Sequence, residues 1–173
     1  MPSKRVNRYA FKPAIAPHIA AQQSGVSLDF DLIFDDVEFA KSQADMVVVE
    51  GVGGWHVPLS AVGEKPVQDI QSLAMRLKLP VIMVVGLRLG CINHAVLTAN
   101  AIERSGLELA GWVANHVDAD FACLDENLSS LDNLINAPRL FDIPHVVEES
   151  KLDIEPVAKS AFVQSLLKGG CKA

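Results

Sequence analysis

The sequence predicts a doubly wound α/β fold on a mostly parallel sheet. Three observations carry this: short apolar runs ending in glycine or asparagine, longer stretches with apolar residues at helical spacing, and the regular alternation of the two. Near-continuous apolar runs, without the in–out alternation of a half-exposed strand, suit a parallel sheet covered on both faces. The strand–helix alternation then sets the class.

Residues 29–43 place Leu32, Phe34, Val37 and Phe39 among acids and predict a helix. The run Met46, Val47, Val48, Val49 predicts the first strand, which ends at Glu50-Gly51-Val52-Gly53-Gly54. Residues 67–77 carry Ile70, Leu73, Ala74 and Leu77 at helical spacing, and residues 80–86 form a second apolar strand. A helix over 92–105 follows, with Ala95, Val96, Ala99 and Ile102 on one face. Residues 109–115 predict the third strand, and 121–134 and 155–167 the last two helices. No repeat, low-complexity tract or linker interrupts the chain, so residues 1–173 read as a single α/β domain. In such sheets ligands bind beyond the carboxyl ends of the strands. That expectation groups residues 50–54, 86–93, Asn115 and His116 on one rim.

Half of the residues are hydrophobic and 21% are charged, an ordinary globular balance. The formal net charge of −6 argues against a nucleic-acid partner but not against a small anion in a local pocket. The three cysteines, Cys91, Cys123 and Cys171, are widely spaced and form no C-x-x-C. Free thiols in a reducing cytoplasm are the expectation. No apolar run reaches the ~18 residues of a membrane span, and residues 1–5 lack the apolar stretch of a signal peptide. The expected protein is cytoplasmic, with no membrane partner.

Glu50 directly follows a strand, where a carboxylate suits Mg²⁺ beside phosphates. Gly51, Gly53 and Gly54 let a backbone approach a ligand closely, and their N–H groups suit phosphate oxygens. The alternative is a plain turn after a strand. Residues 86–94 follow the second strand into a helix whose first N–H groups favour an anion, with Asn93 as a further donor. The alternative there is an asparagine that only caps the helix. His94 reads as packed or capping, and Cys91 as a small packing residue with no adjacent base. Asn115 ends the third strand, and its amide can donate and accept at once, as an adenine edge requires. The alternative is a strand-terminating asparagine. The backbone of residues 143–145 can line a base pocket. Asp118, Asp120, Glu148 and Glu149 read as solvated. No acid, histidine or cysteine cluster has zinc spacing, and neither a G-x-S-x-G elbow nor G-x-x-x-x-G-K-[ST] occurs in the 173 residues.

Taken together, Val49-Glu50-Gly51-Val52-Gly53-Gly54-Trp55, Pro58-Leu59, Pro80-Val81-Ile82, Val84-Val85-Gly86, Leu89-Gly90-Cys91-Ile92-Asn93-His94-Ala95 and Gly111-Trp112-Val113-Ala114-Asn115 resemble dethiobiotin synthetase in order and spacing. So do Val6-Asn7, Tyr9-Ala10-Phe11 and Pro17-His18-Ile19-Ala20-Ala21. The resemblance covers nearly the whole chain. It implies a sheet of P-loop NTPase type and an ATP-dependent cyclo-ligase that closes the urea ring of dethiobiotin from 7,8-diaminononanoate and CO₂ in biotin biosynthesis. A carbamate forms on the diamine, the γ-phosphoryl group of ATP activates it, and the second amine attacks. The resemblance implies Glu50 as an Mg²⁺ ligand and Gly51, Val52, Gly53 and Gly54 as a nucleotide loop, with Val52 where alanine is usual. It implies Asn115, His116, Pro144, His145 and Val146 around the base, and Gly90, Cys91, Ile92 and Asn93 receiving the substrate carboxylate across a homodimer interface.

The family also begins with a strand and a P-loop bearing a lysine and a threonine, followed by a second lysine, a substrate serine and an Mg²⁺-binding aspartate. None of these is found here, so the expected fold is an N-terminally truncated one and no catalytic residue is assigned. Arg8 stands where proline is usual. Two other readings follow from the missing motif: a non-catalytic binding or regulatory relative, and one half of a split enzyme.

Overall fold

The computed structural model describes residues 2–60, 63, 65–148 and 152–168. The chain divides into two units, Met1–Lys78 and Leu79–Ala173.

The first unit holds four helices: α1 (Ser3–Val6), α2 (Pro17–Gln23), α3 (Phe30–Lys41) and α4 (Ile70–Leu77). The helix expected over 29–43 is α3. It starts where the Asp29 carboxylate accepts the N–H groups of Asp31 and Leu32, at 2.8 and 3.3 Å. It packs against α4 and buries Phe30, Asp36 and Val37. Asp36 accepts Nε and Nη2 of Arg8 at 2.5 and 2.7 Å and Nε of Arg5 at 2.8 Å. The Arg5 guanidinium also lies 4.0 Å from the Phe39 ring centroid. These contacts fasten the N-terminal segment to α3.

α4 starts later than the helical spacing over 67–77 implies. Asp69 and Ser72 form a reciprocal capping box, with the Ser72 N–H 2.8 Å from the Asp69 carboxylate. Just before it, the Gln68 carbonyl accepts the N–H groups of Leu59 and Ser60, so that residue is committed to the preceding turn. Burial raises the Asp69 pKa. The Ser72 hydroxyl and N–H and the His56 ring outweigh it, and the carboxyl ends below its usual range.

Residues 46–49 form no strand. A β-strand is held by ladder bonds to a neighbour, and among the described residues this run has none. Val48 is 83% exposed. Apolar and β-branched composition alone does not make a strand without something to pair with.

The second unit is an α/β layer: β1 (Val81–Gly86), α5 (Cys91–Arg104), β2 (Leu109–Asn115), α6 (Leu124–Leu134), β3 (Arg139–Ile143), α7 (Glu155–Ala158) and α8 (Ala161–Lys168). The sheet is parallel in the order β1-β2-β3, as the apolar runs predict. α5 packs on β1 and β2 and against α6, and α7 packs on β3. β3 was not anticipated, because Arg139 and Asp142 interrupt its apolar pattern. The final helix, expected over 155–167, is two pieces. The chain turns at Lys159 and Ser160, and the Ser160 hydroxyl accepts the Val163 N–H at 3.3 Å.

Double-sided coverage holds at β2, where Trp112, Val113 and Ala114 are all buried, and fails at β1, where Ile82 and Val84 are 43% and 60% exposed. Gly111 sets how closely β3 lies on β2. A Cβ there would stand 2.5 Å from Leu140 Cδ2 and 2.8 Å from the Pro138 carbonyl oxygen. No helix among the described residues is long and apolar enough to cross a membrane.

Candidate functional site

In the second unit, parallel pairing brings the carboxyl ends of all three strands to one end of the sheet. Gly86 pairs with Asn115, and Asn115 with Ile143. The chain then leaves each strand through a bonded turn. The Leu87 N–H reaches the Asn115 carbonyl at 2.7 Å, and the His116 N–H reaches the Ile143 carbonyl at 3.0 Å. His145 Nδ1 lies 3.2 Å from the His116 carbonyl. Asn115, His116, Pro144 and His145 therefore share one edge, as the strand ends imply. Val146 follows on the same segment. The Asn115 carboxamide makes no hydrogen bond among the described residues, and it is accessible rather than sealed in the core. The one buried side-chain polar atom lacking a partner among the described residues is Trp112 Nε1.

Asp142 extends this edge and Arg139 reaches it from the amino end of β3, and the sequence offered no signal for either. His116 Nε2 lies 3.5 Å from Asp142, and Arg139 bridges Asp142 and Asp132 at 3.0 and 3.1 Å.

On the same side of β1, Gly90 opens α5 in a left-handed conformation (φ 93°) with no side-chain cap. The Cys91 N–H is used by the Arg88 carbonyl, and the Gly90 carbonyl accepts the His94 N–H. Among the described residues, the Ile92 and Asn93 N–H groups are orphans of the first turn. The exposed Asn93 amide is likewise unpartnered, so it does not cap the helix. His94 is exposed, not packed, because α5 turns Cys91 and Ala95 inward and leaves position 94 outward. Cys91 is buried, as a packing residue would be.

The glycine loop belongs to the first unit. Trp55 Nε1 donates to Gln71 at 2.8 Å, and the Gln71 and Ile70 N–H groups return to the Trp55 and Val57 carbonyls. The loop is thereby tied to the start of α4. Gly54 has φ 106°, and a Cβ would stand 2.7 Å from Val57 Cγ2, so any side chain there is strained and displaces Val57. Gly51, Val52 and Gly53 precede it, exposed. Among the described residues, none of the four N–H groups of 51–54 has a partner. The Glu50 carboxylate is exposed and has no partner in this set either. No group of three acids, histidines or cysteines gathers into a metal-holding cluster among the described residues. A lone carboxylate still fits Mg²⁺, which is commonly held by one or two protein carboxylates together with water and substrate phosphates.

A cleft of about 450 Å³ in the same unit is lined by Tyr9, Asp29, Gln68 and Arg76, among others. Its charges are spent internally: Arg76 on Asp31, and Asp29 on the start of α3.

A family model described as an AAA domain matches residues 2–151. A protein of Aromatoleum aromaticum named "ATP-dependent dethiobiotin synthetase BioD" is 51% identical, over 82% of this chain and 61% of that protein. The proteins of the same name from Cellvibrio japonicus and Ralstonia nicotianae are 46% and 48% identical, over 89% and 83% of this chain and 68% and 63% of their own lengths. The chain belongs to the dethiobiotin synthetase family. It spans between about three fifths and two thirds of the length of these relatives. The dethiobiotin synthetase resemblance stated from the loops is thereby upheld, as is the α/β class, and the parallel order of β1–β3 agrees with both.

Proposed function

We propose that this chain supplies the base-reading edge, the metal-facing acid and the carboxylate-receiving helix start of a dethiobiotin synthase. The reaction joins 7,8-diaminononanoate and CO₂ into the cyclic urea of dethiobiotin, with ATP converted to ADP and phosphate. The observation that carries this is identity of 46–51% over 82–89% of the chain to three proteins bearing that name. The accessible Asn115 carboxamide and the orphan N–H groups of α5 support it, because each offers the chemistry its role needs.

In this reading Asn115, His116, Pro144, His145 and Val146 hold the adenine. The free N–H groups of Gly51, Val52, Gly53 and Gly54 donate to phosphate oxygens. Gly90, Cys91, Ile92 and Asn93 receive the substrate carboxylate at a helix start, across a homodimer in the cytoplasm. Glu50 would hold Mg²⁺, whose chemistry is to neutralise charge on the phosphates. The chain's own contribution is positioning and charge complementarity. The second reading is a non-catalytic relative or half of a split enzyme, set beside the first because the chain spans 61–68% of the length of these three relatives.

ATP-dependent dethiobiotin formation decides between them, measured for the chain alone and for the chain fused to, or mixed with, a P-loop segment of a relative. Product from the fused or mixed protein supports the proposal, and turnover by the isolated chain removes the non-catalytic reading. Failure of every combination overturns the synthase reading. In an active combination, Glu50→Gln should lower the rate about 100-fold and raise the Mg²⁺ needed for half-maximal rate. An unchanged Mg²⁺ dependence would remove Glu50 from the metal.

A further inference from the structure

His145 is fixed in one hydrogen-bonding polarity by its neighbours. Its Nδ1 lies 3.2 Å from the His116 carbonyl oxygen. A carbonyl only accepts, so Nδ1 must carry the proton. In a neutral imidazole the other nitrogen, Nε2, is then an acceptor. Nε2 has no partner among the described residues, and His145 is exposed at the carboxyl edge of β3. The contact is held from both sides, because the His116 N–H is itself anchored to the Ile143 carbonyl at 3.0 Å.

Asn115, on the neighbouring strand end, has the opposite character. Its carboxamide has no partner within the described residues. A half-turn about its terminal bond exchanges donor and acceptor. It can therefore meet the edge of an amino-purine or of a keto-purine by turning over, and by itself it does not choose between them.

We propose that His145 is the specificity-determining residue of the base site. Its Nε2 accepts from the exocyclic amine at position 6 of adenine and turns away purines with a keto oxygen there. A keto oxygen would set acceptor against acceptor, leaving both unpaired at close range, which a site with a fixed acceptor discriminates strongly. This rests on the reading of residues 115–116 and 144–146 as the base site.

The test is calorimetric or NMR titration of the 173-residue chain with adenosine and with inosine, which differ at position 6 and in the proton on the adjacent ring nitrogen. Wild type should bind adenosine about tenfold more tightly. His145→Phe keeps a ring and removes the acceptor. It should weaken adenosine about fivefold, a neutral hydrogen bond's worth, and leave inosine unchanged or tighter. A structural role would move both nucleosides together, and that result overturns the proposal while leaving the base site in place. Equal binding of the two nucleosides by wild type overturns it as well. Binding of neither nucleoside to wild type, with no shift at residues 115, 116 or 143–146, overturns the base-site reading and this proposal with it.

Discussion

Gly111→Ala should lower the melting temperature by roughly 5–10 °C, corresponding to about 2–3 kcal/mol. The added methyl would stand 2.6 Å from Leu140 Cγ and 2.5 Å from its Cδ2, well inside van der Waals contact. The Leu140 side chain has rotamers in which to retreat. The Pro138 carbonyl oxygen, 2.8 Å away, does not, because it is backbone and already accepts the Trp112 N–H at 3.0 Å. Relieving the clash therefore means opening the β2–β3 ladder beside Trp112, a fully buried side chain. Gly53→Ala is the control: a Cβ there meets nothing within 4 Å, and the melting temperature should hold within about 1 °C. Circular dichroism melts of the two variants check both. An unshifted melt for Gly111→Ala would mean that β3 is not seated on β2 as described.

Asp36→Asn should cost about 2–3 kcal/mol near neutral pH. The side chain keeps its shape but loses the charge that two guanidinium groups share. Asp36 is 6% exposed, whereas Arg5 and Arg8 are 33% and 29% exposed. Water can partly re-solvate the arginines after the change, which keeps the loss below that of a fully buried broken pair. The hydrogen bond from Arg8 holds the Asp36 carboxyl below its ordinary range. Burial opposes this, and Arg5 adds to it. A depressed folded-state pKa stabilises the protein above the unfolded carboxyl value of about 3.9, and that stabilisation is lost as pH falls through the folded value. Urea melts of both proteins should therefore differ fully above about pH 5 and converge as pH falls through the depressed Asp36 value. A gap that persists unchanged in acid would point to lost packing rather than lost charge.

Much of this was legible from residue order. Apolar runs ending at Gly86 and Asn115 announced two parallel strands, although of these two only β2 has both faces covered. That parallel arrangement groups Gly86, Asn115 and His116 at one edge, whereas His145 enters only through the family resemblance, since β3 itself is not legible in the sequence. Other features resist such reading. β3 hides because Arg139 and Asp142 are paired with each other and with Asp132 and His116 at the surface, and charge in a short run looks like loop. Residues 46–49 mislead in the opposite sense, since strand composition says nothing about whether a partner is at hand. The Asp36 pairing joins residues 28 and 31 positions apart, beyond the reach of any local pattern. His94 was misread because an apolar helix tempts one to bury everything on it, although its periodicity already turns that position outward.

The uncapped start of α5 has a consequence for how any anion would be felt there. The groups it offers, the Ile92 and Asn93 N–H and the Asn93 amide, are dipoles without formal charge. Their pull is strong at contact and negligible a few ångströms away. At longer range an approaching carboxylate meets a chain of net charge −6. Added salt screens that repulsion over about 10 Å at 0.1 M and barely touches the contact dipoles. In an Arg88→Ala variant, which removes the one arginine or lysine of residues 86–94, ionic strength should then assist capture of an anion at this helix, the reverse of what a lysine-built site would do.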